Sequence, residues 1–257
     1  MGLLHTAWLG LATALILATL VWAASVALRD VSIVDSAWSL PILSVALPAV
    51  LHSGGLTPRA WLALGLAGAW ALRLSAHITW RHWGEEEDRR YQEIRARNQP
   101  GFQWKSLYLV FWLQALLAAV VALPLLGSVK SGAALGWLDA AGAVLAAFGV
   151  LFEAVADMQL TRFKAKPAHR GKVMDQGLWR YSRHPNYFGE VCVWWGLWLL
   201  ALSAGAWWSV LSPLLMTVLL LKVSGVTLLE KDMQERRPAY RDYIARTPAF
   251  FPGKPKP

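Results

Sequence analysis

The sequence has a single cysteine and little charge. Cys192 stands inside an apolar stretch, which excludes an internal disulfide and a cysteine-ligated zinc cluster. Only 16% of the 257 residues are charged, while 56% are hydrophobic and 16 are Trp, a balance outside that of a soluble globular domain. No Gly-x-Gly-x-x-Gly run occurs, so the strand-to-helix pyrophosphate turn of soluble dinucleotide-binding domains is absent. Internal repeats and low-complexity linkers are also missing, and the polar segments are too short to fold alone, which leaves a single domain over 1–257. The six histidines lack the spacing of metal ligands, and no metal site is expected.

What the chain does have is apolar runs of membrane-spanning length, at about 3–28, 31–51, 59–80, 106–126, 134–158, 186–204 and 206–229. They predict an all-α, polytopic integral membrane protein of seven transmembrane helices, followed by a tail over 231–257. Leu3 to Leu28 shows no small-residue cleavage site and is expected to be a retained helix. Three segments, Arg81–Lys105, Arg162–Arg183 and Lys231–Lys256, hold 20 of the 25 Lys and Arg; Arg59 and Lys130 stand in the alternating connections. The positive-inside rule then predicts a cytoplasmic C-terminus and an outside N-terminus. The net charge of +9 is therefore a topology signal, and no nucleic-acid partner is expected.

The most informative stretch runs from Gly177 to Glu190, GLWRYSRHPNYFGE. Pro185 suits the first turn of a helix, so a helix N-terminus is expected there, with Arg180, Arg183 and His184 just before it as an anion site. Asn186 and Glu190 fall at i and i+4, with Tyr187 beside them, which sets an amide, a carboxylate and a phenol in the first turns of a span. Polar groups at that depth need partners from protein or ligand. Arg73 and His77 share another helix face, continued by Arg81, and Asp35 shares a face with Trp38. A buried Asp35–Arg73 ion pair that fixes helix register is one expectation for this set; the other makes Asp35 or His77 part of a catalytic acid. In Gly84–Arg95 the spacing offers Glu86–Arg90 and Tyr91–Arg95 pairs on a solvated helix, or alternatively a lid or cofactor contact through Arg90, Tyr91 and Arg95.

The run Gly177–Glu190 resembles the signature of the steroid 5α-reductase family and its bacterial branch, and is similar to a motif of membrane sterol reductases. A looser likeness extends over about 140–252, through Glu153, Asp157, the basic loop 162–172 and the ending Tyr240-Arg241-Asp242-Tyr243 with Thr247-Pro248. Val31-Ser32-Ile33-Val34-Asp35, Trp38 and Gly84–Arg95 match the bacterial branch alone. The resemblance implies a helical membrane enzyme that takes NADPH from the cytoplasm and reduces a carbon–carbon double bond conjugated to a ketone, as in a 3-oxo-4-ene steroid or similar lipid enone arriving from the bilayer. It also implies that Asn186 holds the nicotinamide amide and that Glu153 and Asp157 meet polar groups of the cofactor. Arg162, Lys164, Lys172, Arg180, His184, Tyr187, Glu190, Arg90, Tyr91, Arg95, Tyr240 and Tyr243 are further candidates for that cofactor site, with Lys222 and Glu230 closing it. Glu153 stands where family members carry Asn, and Lys222 where they carry Arg.

Hydride addition to an enone needs a donor at the carbonyl oxygen. Mammalian members of that family use a Tyr with a Glu from helices two and three, and this sequence has no Tyr in either helix. The candidates for that catalytic role are Tyr187, Asp35 and His77. Two other readings stand beside the reductase. One is a methyltransferase that uses S-adenosylmethionine, resembling the isoprenylcysteine carboxyl methyltransferases, which carry a similar Arg-His-Pro-x-Tyr run. The other is a non-catalytic protein that binds lipid or transports a small amphiphile. No obligate protein partner is expected.

Overall fold

The structure, a computed structural model, describes residues 2–129, 132, 134–223, 226, 230 and 239–256. Lys130, Lys231 and most of 224–238, which entered the topology argument, lie outside the described residues. Among the described residues no strand occurs, and five helices are long and apolar enough to cross a membrane. They are α1 (Leu3–Leu28), α2 (Ile33–Leu51), α3 (Pro58–His82), α5 (Phe102–Val121) and α7 (Trp137–Lys164), with α4 (Arg89–Arg97) and α6 (Leu123–Val129) as short connectors. Then come α8 (Pro185–Ser203), α9 (Trp207–Val223) and α10 (Ala239–Arg246). At 19 residues α8 has the length of a span, but its polar first turn and three Trp lower its mean hydropathy; α9 is a shorter apolar helix.

The boundaries differ from the sequence expectation wherever a helix carries polar residues past its apolar run. α3 extends to His82 and α7 to Lys164, because Arg, Lys and Gln continue a helix about as well as Leu does. The fourth run, expected at 106–126, begins instead at Phe102 and breaks at Ala122, two residues before Pro124, whose ring lacks the amide that would continue the helix. α2 bends at Trp38 for the same reason: Pro41 cannot donate to the Ala37 carbonyl. The bend turns Asp35 and Trp38 toward the bundle interior.

Small residues let these helices approach closely. On α1, Thr6, Gly10, Ala14 and Ala18 form a buried stripe; a Cβ on Gly10 would lie 2.5 Å from the Val45 carbonyl oxygen of α2, and Thr13 donates to the Ser44 carbonyl at 2.7 Å. The tightest pair is α7 against α8, running antiparallel. A Cβ on Gly149 would meet Gly189 O at 2.5 Å, and one on Gly142 would meet Gly196 O at 2.6 Å. This seam fixes Glu153 of α7 beside the first turns of α8, where Gly189 lies against its backbone.

The two ends of the bundle differ. At one end Arg59 donates to Asp139 through Nε (2.7 Å) and Nη2 (2.9 Å), and Ser203 donates to the same carboxylate at 2.7 Å. The ends of α3, α7 and α8 meet there, around a buried, bidentate charge pair. At the other end gather the basic segments, and the candidate site lies just beneath them.

Candidate functional site

Two facing stripes meet beside a cavity of about 370 Å³ whose wall includes His77, Glu153 and Asp157. Arg73 and His77 on α3 meet Glu153 and Asp157 on α7, each pair spaced i, i+4. Arg73 donates to Asp157 Oδ2 at 2.6 Å and contacts the Glu153 carboxylate, while His77 Nε2 lies 4.0 Å from Asp157. The expected Asp35–Arg73 pair is thus not formed: Arg73 is taken up by the two acids of α7, which the α3–α7 packing sets opposite it. From α8, Asn186, Tyr187 and Glu190 line the same cavity. Glu190 is 6% exposed and makes no hydrogen bond among the described residues, and Glu153 Oε2 and Asn186 Oδ1 likewise have none. The inner wall therefore presents unpaired acceptors. Opposite it stand apolar groups of α5 and α9, among them Leu113, Leu117, Met216 and Leu220. Both helices make a π-helical turn here, Leu107–Trp112 and Leu219–Val223, and that register shift is a recurrent device at functional sites.

Asp35 has other partners. The Tyr91 hydroxyl donates to Asp35 Oδ1 at 2.6 Å, and Arg90 Nη2 donates to Oδ2 at 2.7 Å. Both come from α4, whose N-terminal segment is pinned on the start of α2: Val31 N donates to Glu87 at 2.9 Å and Asp88 N to Ser32 Oγ at 2.6 Å. Neither expected i, i+4 pair of this segment carries the contact. Arg90 bonds to Asp88 and Asp35, and Arg95 to Glu87, because the chain before α4 folds back on α2 instead of continuing as a solvated helix. Burial opposes ionisation of Glu87 and Asp88, yet the hydrogen bonds from Arg95 and Val31, and from Arg90, outweigh it and hold both carboxyls below their ordinary values. Burial, with the Asp35 carboxylate beside it, pushes the Tyr91 phenol up, so it stays a neutral donor. Gln114 of α5 lies against the same phenol and also lines the cavity.

The basic signature before α8 behaves differently from expectation. Arg183 donates to Glu230 at 2.7 Å and to the Ile244 and Thr247 carbonyls at 3.0 and 2.5 Å, and His184 Nε2 sits 3.0 Å from Glu230. Ser182 donates to Phe250 O and Tyr243 to Trp179 O, so the run 177–184 is a clamp on the C-terminal segment. Hydrogen bonds from His184 and Arg183 hold the Glu230 carboxyl below its ordinary value in spite of burial. Burial pushes the Tyr240 phenol up to about 12. The expected anion site of Arg180, Arg183 and His184 is reduced to the exposed Arg180, since Glu230 occupies the other two. The His184 ring stacks on Tyr187, centroids 5.5 Å apart, and so joins the clamp to the cavity wall.

Of the candidates named from sequence, the cavity brings together Asp35, His77, Arg90, Tyr91, Glu153, Asp157, Asn186, Tyr187 and Glu190. Arg162 lies instead in a groove between α3 and α7, and Lys172 and Tyr243 line a separate hollow of about 440 Å³ between the basic loop and α10. Lys164 and Lys222 are exposed, Arg95 is held by Glu87, and Tyr240 packs beside Tyr243. Gln114 and Trp38 were missed as wall residues; the intramembrane amide of Gln114 was the available signal, since a polar group at that depth marks function by default.

Fold and site together define a helical membrane protein with a polar cavity buried under one end of its bundle. Within that class the chain belongs to the DUF1295 family, described as a protein of unknown function, whose model matches residues 21–247. No curated protein and no solved structure matches it.

Proposed function

We propose that this protein is an NADPH-dependent reductase of the carbon–carbon double bond of a lipid enone, of the 3-oxo-4-ene steroid type. The observation that carries the reading is the Tyr91–Asp35 pair in the wall of the cavity that Asn186, Tyr187 and Glu190 also line. A Tyr paired with a carboxylate is the constellation that the resemblance leads one to seek in helices two and three. Here α2 supplies the carboxylate and α4, just after α3, supplies the Tyr. Turning its O–H from Asp35 to a substrate carbonyl, Tyr91 would stabilise the charge that develops on that oxygen, while Arg90 keeps Asp35 in place. The unpaired acceptors Asn186 Oδ1 and Glu153 Oε2 suit a carboxamide N–H donor, and Arg81, exposed and in the lining of the cavity, suits a phosphate. Bound there, the nicotinamide would supply hydride to the β-carbon. His77, which lines the cavity beside Asp157, would deliver the proton to the α-carbon.

The antiparallel packing of α8 on the span α7 supports a seven-helix membrane domain in which α8 and α9 also cross, and the basic end supports a cytoplasmic cofactor site in a bacterial inner membrane. A second reading, an S-adenosylmethionine-dependent methyltransferase, is favoured by one feature: the acids Glu153, Asp157 and Glu190 outnumber the single guanidinium that touches them, which suits a sulfonium cation. Binding of NADPH, NADP⁺ and S-adenosylmethionine to the detergent-purified protein decides between them. Saturable NADPH binding that is lost in Asn186→Ala, together with enone turnover lost in Tyr91→Phe, is the expected result; binding of S-adenosylmethionine alone overturns it.

A further inference from the structure

His77 and Asp157 line two spaces at once: the inner cavity, and a groove of about 300 Å³ on the outer side of α3 and α7 that Arg73 also lines. Trp80, Ala154, Met158, Thr161 and Arg162 complete the groove. Trp80 and Met158 are 65% and 42% exposed on two helices apolar enough to cross a membrane, so the groove faces lipid close to the headgroup level. At His77 and Asp157 the partition between the two spaces is one side chain thick, because these two residues line both of them, and beside them Arg73 on the groove side pairs with Glu153 on the cavity side.

The ion pairing of that partition is redundant. Arg73 holds Glu153 as well as Asp157, and His77 stands 4.0 Å from Asp157. If Arg73 lets go of Asp157 it keeps Glu153, whose Oε2 is otherwise unpartnered, and Asp157 keeps a cationic neighbour when His77 is protonated. Arg73 thus keeps a carboxylate partner when its contact with Asp157 opens, which lessens the cost that makes most buried pairs hard to break.

We infer that this groove is the lateral access site for an amphiphile with an apolar body and a hydrogen-bond acceptor at one end, such as a ketone. The body lies on Trp80, Ala154 and Met158; the acceptor end meets Arg162 and Thr161, then Arg73 as it passes inward. The choice of a ketone rests on the reductase reading; the path itself rests on the shared wall.

The test uses the full chain in lipid nanodiscs and a photoactivatable diazirine derivative of progesterone, with labelled residues mapped by mass spectrometry. Label is expected on Ala154, Met158 or Thr161 and on cavity residues such as Leu117 and Met216. In Ala154→Trp, which fills the groove without touching the cavity, labelling of the cavity should slow about tenfold or more. Met158→Trp serves the same purpose should Ala154→Trp fail to accumulate, and Val144→Trp, at an exposed position elsewhere on α7, should change nothing. Cavity labelling at an unchanged rate in the filled-groove variants, or no label on groove residues, overturns the path. NADPH binding on the same samples separates the two ideas: bound NADPH with unslowed labelling sinks the path alone, and groove labelling without NADPH binding sinks the reductase alone.

Discussion

Tyr91 is a residue whose role depends on its neighbours. Its phenol is held by Asp35 at 2.6 Å, and burial followed by that carboxylate keeps its pKa above the ordinary 10.0. Tyr91→Phe keeps the ring and removes the donor, so enone turnover is expected to fall by roughly 10²–10³ with NADPH binding retained, as measured by steady-state kinetics and titration. Wild-type turnover should show no loss from phenol ionisation up to pH 10. Glu230 gives a second residue-scale expectation. Its folded-state pKa is depressed from the ordinary 4.5, so the stability it contributes is in place above that value and is lost as pH falls through the lower folded-state value. Hydrogen exchange in 239–256 should therefore accelerate on acidification below about pH 4.5, and Glu230→Gln should abolish that step. An exchange profile unaffected by the substitution would show that the clamp does not hold the tail.

At the scale of the element, the α7–α8 seam sets the depth of Glu153 against Glu190. A Cβ at Gly149 or Gly196 would come within 2.5 Å of backbone atoms on the facing helix, and neither backbone can yield without displacing its helix. Gly149→Ala and Gly196→Ala are expected to destabilise by about 1–3 kcal/mol each, read as a lowered unfolding midpoint in detergent. Gly65→Ala on α3, where nothing lies within 4 Å, should be neutral or stabilising by up to about 1 kcal/mol. Equal effects at the three positions would rule out the seam as the cause.

For the whole molecule, the buried Arg59–Asp139–Ser203 cluster ties the ends of α3, α7 and α8 remote from the cavity. Arg59→Ala leaves Asp139 buried and uncompensated and should cost about 3–5 kcal/mol, whereas Arg59→Met with Asp139→Leu should restore most of it. Thermal unfolding of both variants checks this; a double variant as unstable as the single one would overturn the charge argument. The proposed orientation has its own test, since a C-terminal fluorescent-protein fusion should fluoresce and a C-terminal alkaline phosphatase fusion should be inactive. The opposite pattern would place the cavity on the outer side.

The sequence by itself determined the helical class, the apolar runs and the candidate polar residues, because spacing along one helix is a local property: Arg73 with His77, Glu153 with Asp157, and Asn186 with Glu190 share faces by i, i+4 geometry alone. Pro185 likewise announced the start of α8. Which stripe meets which is not local. Helix packing gave Arg73 to the acids of α7 instead of Asp35, sent Tyr91 to Asp35 from outside the spans, and committed Arg183 and His184 to Glu230 and the C-terminal segment. Each of those pairings joins residues far apart in the chain, and their partners were decided by close backbone approach at glycines, by the bend before Pro41 and by the folding back of Glu87 and Asp88 on α2. None of these is set by the spacing of residues along a single helix.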